Sequence, residues 1–160
     1  MHNLKYHQKL PLSLEECWRF FSTPTNLKLL TPKKLKFEIT DADVISSMYA
    51  GQIITYTIQP FGKLPFTWVS EITQFQEPHY FIDVQLFGPY KFWHHEHRFN
   101  PIFNGVEMVD TVYYKLPFGF LGKALHTLKV KRDLELIFSY RKAKLEKMFG
   151  PYLEANRKEK

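Results

Sequence analysis

His95 and His97 lie two residues apart in the segment Trp93-His94-His95-Glu96-His97-Arg98-Phe99. Side chains alternate along an extended strand, so Trp93, His95, His97 and Phe99 share one face and Phe92, His94, Glu96 and Arg98 the other. Either face can turn inward; two aromatic residues flanking two histidines favour the first set. Imidazoles at this spacing suit two kinds of chemistry. They chelate a metal if a carboxylate joins them from a neighbouring strand; Asp110 on the next strand is the obvious donor, with Asp83 or Glu71 as others. They also move protons, because an adjacent carboxylate fixes the tautomer of a histidine and raises its pKa. His95 or His97 with Asp110 would suffice, which makes these three the catalytic candidates. A third reading gives the same groups no reaction: they satisfy one another as a hydrogen-bonded cluster in a cavity wall, or as buried structural histidines. Metal proteins usually present three or four ligands at fixed spacing, and here the third is not fixed. No metal and no other cofactor is therefore expected.

Arg141 is the second residue with chemical potential. Val130, Leu134, Ile137, Arg141, Leu145 and Met148 recur at spacings of three and four, which predicts a helix over about 130–148. Arg141 alone interrupts the apolar stripe, where a charge is costly unless paired. It can pair with Asp110, Glu71 or Asp83, Asp110 being the expected partner, or it can meet an anionic group of a ligand. Cys17, among apolar neighbours in a predicted helix, reads as an inert core thiol.

The elements that must position these residues are legible in outline. Residues 3–10 alternate as a first strand. Ser13-Leu14-Glu15-Glu16 is a capping box opening a short helix, and 25–30 forms a second, closed before Pro32. Strands follow over roughly 34–40, 52–59, 65–76, 79–87, 91–100 and 106–115. They are separated by Tyr49-Ala50-Gly51, Phe61-Gly62-Lys63, Glu77-Pro78, Gly88-Pro89 and Asn104-Gly105. Such short breaks impose antiparallel pairing and a meander. Leu121, Leu125 and Leu128 form a stripe out of phase with the main helix and predict a separate turn before it. Gly150-Pro151 ends the helix, and 152–160 are expected to fray.

The chain has 160 residues, consistent with one domain over 1–150 and a basic tail over 151–160. Aromatic residues make up 17% of it, with 15 Phe, 9 Tyr and 3 Trp, enough to fill a core or line a cavity. A single cysteine excludes an internal disulfide. No run approaches an apolar membrane span and the first residues carry no apolar leader segment, so a cytoplasmic protein without integral membrane association is expected. The net charge of +6 is uneven: residues 1–119 hold 11 Lys/Arg against 11 Asp/Glu, and 120–160 hold 11 against 5. The excess reads as the solvated face of the last helix; no nucleic-acid motif accompanies it, so no nucleic-acid partner is expected. Phosphate-cradling glycine loops, nucleophile elbows and four-ligand zinc spacings do not occur.

The order strand, two short helices, meander, long helix resembles the START-like superfamily, also called SRPBCC or pollen-allergen-like. The local sequence is similar too: Pro11-Leu12-Ser13-Leu14-Glu15-Glu16-Cys17-Trp18-Arg19-Phe20-Phe21 at the opening junction, Asn26-Leu27-Lys28-Leu29-Leu30-Thr31-Pro32 in the second helix. Trp68-Val69-Ser70-Glu71-Ile72, Gly88-Pro89-Tyr90, Trp93-His94-His95-Glu96-His97 and Asp110-Thr111-Val112-Tyr113-Tyr114 resemble strands of a bacterial branch related to polyketide cyclases. Leu116-Pro117-Phe118-Gly119 and Phe138-Ser139-Tyr140-Arg141 extend the likeness into the last helix. The resemblance implies an α+β helix-grip fold, a curved antiparallel sheet of six or seven strands around the C-terminal helix. Members of the superfamily bind lipids, sterols and polyketides, and some catalyse cyclisation or dehydration.

The expectation is therefore a binding protein for a hydrophobic or aromatic small molecule. Its internal cavity would be on the order of several hundred Å³, with Trp68, Asp83, Trp93, His95, His97, Asp110, Tyr114 and Arg141 as ligand-binding residues. Two alternatives stand beside it: a cyclase or dehydratase using the His/Asp cluster, and an interaction module using the basic helix face. The oligomeric state is left open.

Overall fold

The computed structural model describes residues 1–41, 47–59, 64–117 and 129–154. Strand β1 (His2–Leu10) leads into helices α1 (Leu14–Phe21) and α2 (Leu27–Leu30). Strands β2 (Glu38–Ile39), β3 (Ile53–Ile58), β4 (Phe66–Gln76), β5 (Tyr80–Phe87), β6 (Phe92–Ile102) and β7 (Gly105–Lys115) follow, and helix α3 (Lys131–Phe149) closes the chain. The seven strands form one sheet in the order β1-β7-β6-β5-β4-β3-β2, with every pairing antiparallel. This is the expected meander, with β1 returned to the β7 edge. Register shifts interrupt the β4–β5 ladder at Val69/Ser70 and Ile72/Gln74, and such bulges bend a strand and sharpen its twist.

Local chemistry explains the corners. Ser13 caps α1, its hydroxyl accepting from the Glu16 amide while the Glu16 carboxylate accepts from the Ser13 amide at 2.9 Å. The β6–β7 hairpin turns through Phe103 and Asn104, Asn104 lying in the left-handed region with φ 53°. Gly105 follows because its backbone passes so close to Leu10 that a Cβ there would sit 2.3 Å from the Leu10 carbonyl oxygen.

The core lies between the concave face of the sheet and the helices. Trp18 of α1 meets the rings of Phe75, Phe81 and Phe99 edge-on. On α3, Leu134, Phe138, Arg141 and Leu145 are buried, Phe138 stacking on Tyr6 at 4.2 Å. The Gln8 side-chain amide donates to the Lys142 carbonyl at 3.1 Å and ties β1 to the helix.

Four expectations change. The strand predicted over 34–40 shrinks to Glu38–Ile39, because Lys33–Leu35 form a 3-10 turn and Lys36 adopts φ 44°, which breaks the extended run. The α3 stripe runs through Phe138; Ile137 is only half-buried and Met148 is exposed. The tail does not fray at 152: the Tyr152 hydroxyl donates to the Phe103 carbonyl at 2.6 Å, and Glu154 pairs with Lys9. Glu71 is on the convex face, since Trp68, Ser70 and Ile72 are the buried alternates of β4. The Phe61-Gly62-Lys63 turn and the Leu121, Leu125 and Leu128 stripe lie outside the described residues.

Candidate functional site

Sheet, α1, α2 and α3 line a partly open cavity of about 190 Å³. It is smaller than expected because Tyr56, Trp68, Phe81 and Trp93 project into the space the curved sheet would otherwise leave. The wall is mostly apolar: aromatic rings from β3 to β6, Leu27 and Leu30 from α2, and Leu134 and Phe138 from α3. Polar groups are few. Ser70 accepts from the Trp68 indole at 3.0 Å, and Asp83, His95, His97 and Arg141 gather at one wall.

That wall is built by strand register. Asp83 of β5 pairs with His95 of β6, and His97 of β6 pairs with Asp110 of β7. His95 therefore lies between two carboxylates. Its Nε2 is 2.9 Å from Asp110 Oδ1 in a hydrogen bond, and its Nδ1 is 3.5 Å from Asp83 Oδ2. His97 is bracketed the same way, with Nε2 hydrogen-bonded to Asp83 Oδ2 at 3.0 Å and Nδ1 2.9 Å from Asp110 Oδ1. This last contact is short but misaligned, so His97 Nδ1 has a charge neighbour and no hydrogen bond. The imidazole centroids are 3.7 Å apart, and His97 stacks on Phe81 at 4.3 Å.

Arg141 approaches Asp110 from α3 with Nη1 3.4 Å from Oδ1, as the interrupted stripe predicted. Its Nη2 faces the Met108 sulfur at 3.9 Å, its Nε has no hydrogen-bond partner, and the guanidinium sits over the Phe21 ring at 5.2 Å.

Burial and charge act against each other here. Burial would raise the Asp110 carboxyl, but Arg141 and the two histidines hold it well below the ordinary carboxylate range. Burial likewise opposes ionisation of Asp83, yet hydrogen bonds from His97 and the Trp93 indole, with the positive charge nearby, keep it lowered. The two histidines split. Burial and the charge of His97 push His95 down, while the two carboxylates overcome burial and raise His97. His95 Nε2 is hydrogen-bonded to Asp110, and its Nδ1 faces Asp83.

Of the residues expected to bind a ligand, Trp68, Asp83, Trp93, His95, His97 and Arg141 line the cavity. Asp110 does not: it is 1% exposed and stands behind the histidines, reaching a second, smaller pocket of about 80 Å³ between β1 and α3. Tyr114 is fully buried against Tyr90 and Trp93 and is not part of the cavity wall. Tyr56, Ser70, Phe81 and Phe138 were missed. Alternation from Trp68 points to Ser70, and a four-residue step from Leu134 points to Phe138. The lysines at the start of α3 are partly occupied in pairs within the helix, Lys129 with Asp133 and Lys131 with Glu135.

No family model matches the sequence, and neither does any curated protein. Solved structures do match. A protein of Chromobacterium violaceum superposes with a TM-score of 0.72 at 12% identity, over 95% of this chain and 100% of that one. The major latex-like protein 151 of Panax ginseng gives 0.66 at 11%, over 94% and 98%. A Thalictrum flavum norcoclaurine synthase variant, in complex with a transition-state analogue, gives 0.64 at 14%, over 92% and 95%. At these identities the likeness is one of fold. Among the described residues no helix is long and apolar enough to cross a membrane.

Proposed function

We propose that this chain, whose fold is the START-like helix-grip, binds a small hydrophobic or aromatic molecule in the cavity between the sheet and α3. The observation that carries the reading is the composition of the wall: mostly aromatic and aliphatic surface, with its charged and titratable side chains His95, His97, Asp83 and Arg141 gathered in one cluster. Apolar area supplies affinity and a few fixed polar groups supply orientation. Size narrows the class. An apolar cavity of about 150 Å³ accepts benzene, so about 190 Å³ suits a compound of one or two rings better than a long-chain lipid. The polar cluster of His95, His97, Asp83 and Arg141 at one wall favours a hydroxyl or phenol group at one end of it. The same reading takes residues 1–150 as one cytoplasmic domain, supported by the single, buried Cys17.

The test is ligand-observed NMR with one- and two-ring phenols and non-polar analogues, run beside native mass spectrometry of gently purified protein. Ile54 lines the cavity, and Ile54→Trp should fill it and remove saturable binding while the fold persists. Binding unaffected by Ile54→Trp would overturn the proposal.

A second reading, acid–base chemistry of the cyclase or dehydratase kind, draws on the His95–Asp110 hydrogen bond beside the cavity. Its check is deuterium exchange alpha to the carbonyl of a bound aryl ketone, lost in His95→Gln. Absence of catalysed exchange in any bound ketone would leave binding as the function.

A further inference from the structure

We propose that Asp83, His95 and His97 form a binding site for a divalent first-row transition metal ion of the zinc–iron class, set in the cavity wall. The inference departs from the expectation drawn from sequence, which lacked a fixed third donor. The β5–β6 register supplies it, because Asp83 lies directly across from His95.

Three observations carry the proposal. The first is spacing. One donor atom from each of the three residues lies within 4.8 Å of the others. Two ligands about 2.0–2.1 Å from a tetrahedral zinc ion are themselves about 3.4 Å apart. Asp83 Oδ2 is 3.5 Å from His95 Nδ1 and 3.0 Å from His97 Nε2, close to the edges of such a polyhedron. The second is the support behind the ligands. Asp110 Oδ1 lies 2.9 Å from the far nitrogen of each ring, His95 Nε2 and His97 Nδ1. A carboxylate behind a ligating histidine fixes ring orientation and raises ligand basicity. Here the carboxylate is hydrogen-bonded to His95, lies as a charge neighbour beside His97, and is itself held by Arg141. The third is access. Asp83, His95 and His97 line the cavity and Asp110 does not. The ion would thus have protein donors on one side and open positions toward the cavity, the layout of catalytic rather than structural sites.

Two imidazoles and one carboxylate select the ion. Magnesium and calcium take sets made almost wholly of oxygen, whereas zinc and ferrous iron accept this mixed one. All three donors sit on adjacent paired strands, a rigid platform that needs no loop to close. The proposal does not rest on the organic-ligand reading; a bound ion would give such a ligand a coordinating partner for a phenolate or carboxylate oxygen.

The test uses the intact chain, stripped with chelator and dialysed. Cobalt(II) titration should give visible absorption saturating at one equivalent, displaced by zinc(II) and unaffected by magnesium(II). In histidine-15N spectra of the wild type, zinc(II) should move His95 Nδ1 and His97 Nε2 and leave His7, whose side chain is exposed on β1, in place. Asp83→Asn and His97→Gln should abolish binding, Asp110→Asn should weaken it about ten- to a hundred-fold, and His7→Gln should not change it. Wild-type spectra without zinc shifts at His95 and His97 overturn the proposal even if every variant unfolds. So does undiminished zinc binding by folded Asp83→Asn. Phenol binding without metal binding refutes this inference alone, and metal binding without phenol binding refutes only the organic-ligand reading.

Discussion

Replacing Arg141 by methionine keeps the length of the side chain and removes its charge. In the wild type the guanidinium and Asp110 are 7% and 1% exposed, with Nη1 3.4 Å from Oδ1. Removing one partner of a buried pair costs about 3–5 kcal/mol, chiefly because the other charge is left uncompensated. Asp110 would not be left alone, however. His95 Nε2 and His97 Nδ1 both remain 2.9 Å from it, and His97 is already drawn toward its cationic form. Methionine also restores apolar contact with Phe21 and Phe138. The expected loss is therefore at the low end, about 3 kcal/mol. For a domain of this size each kcal/mol moves the melting temperature by about 2–4 °C, so a fall of about 6–12 °C is expected. Circular dichroism melts and urea titrations of ligand-free protein at neutral pH measure it. The double variant Arg141→Met/Asp110→Asn should lose less than the sum of the single variants, because they share one interaction. An unchanged melting temperature in Arg141→Met, or strict additivity in the double variant, would refute the pair as a structural element.

Other variants probe separate parts of the molecule. Cys17 is fully buried and its thiol is pushed up to about 12 by burial; iodoacetamide at mildly alkaline pH should leave native protein unlabelled and label it only on unfolding. Gly105→Ala would drive a Cβ against the Leu10 carbonyl, so it should loosen the end of the β1–β7 ladder, seen as faster amide exchange at Leu10 and Val106. Ser13→Ala removes the α1 cap and should cost about 1 kcal/mol, measured by urea titration. Phe138→Ala, at the contact between α3 and Tyr6, should cost about 3–5 kcal/mol and should enlarge the cavity toward bulkier ligands in the phenol screen.

The parts of the fold read correctly from sequence were those with strong periodicity or strong punctuation. Alternation in Trp93–Phe99 put His95 and His97 on one face, which the flanking aromatics favoured as the inward one, and the interrupted stripe placed Arg141 against the sheet. The reading failed where the deciding contact lies between distant segments. Asp110 and Tyr114 alternate inward like cavity residues, but Asp110 is covered by Arg141 of α3 and the two histidines and Tyr114 by Tyr90 and Trp93, contacts that nothing within β7 reports. The same limit hid the third member of the histidine cluster. The sequence favoured Asp110 as the carboxylate beside the histidines, with Asp83 and Glu71 behind it; only cross-strand register sets Asp83 opposite His95 and turns Glu71 outward. The short β2 was lost to Lys36, whose left-handed backbone no propensity at lysine would suggest.

The pairing of β1 with β7 has a consequence for the order in which the molecule is made. β1 is synthesised first, yet its partner residues lie roughly a hundred positions later, a separation whose closure entropy slows folding. The β4–β7 meander can pair as it emerges, each strand beside its predecessor. Asp110, by contrast, stands between Tyr6 on one side and His97 on the other, and its cation arrives on the last helix. A nascent chain therefore carries the histidines and Asp83 on a half-built sheet with one flank open, and a chain cut before α3 never acquires the counter-charge. The smaller pocket beside Asp110 is completed by β1 and α3 together, so a chain that ends before α3 keeps all seven strands but leaves Asp110 without Arg141.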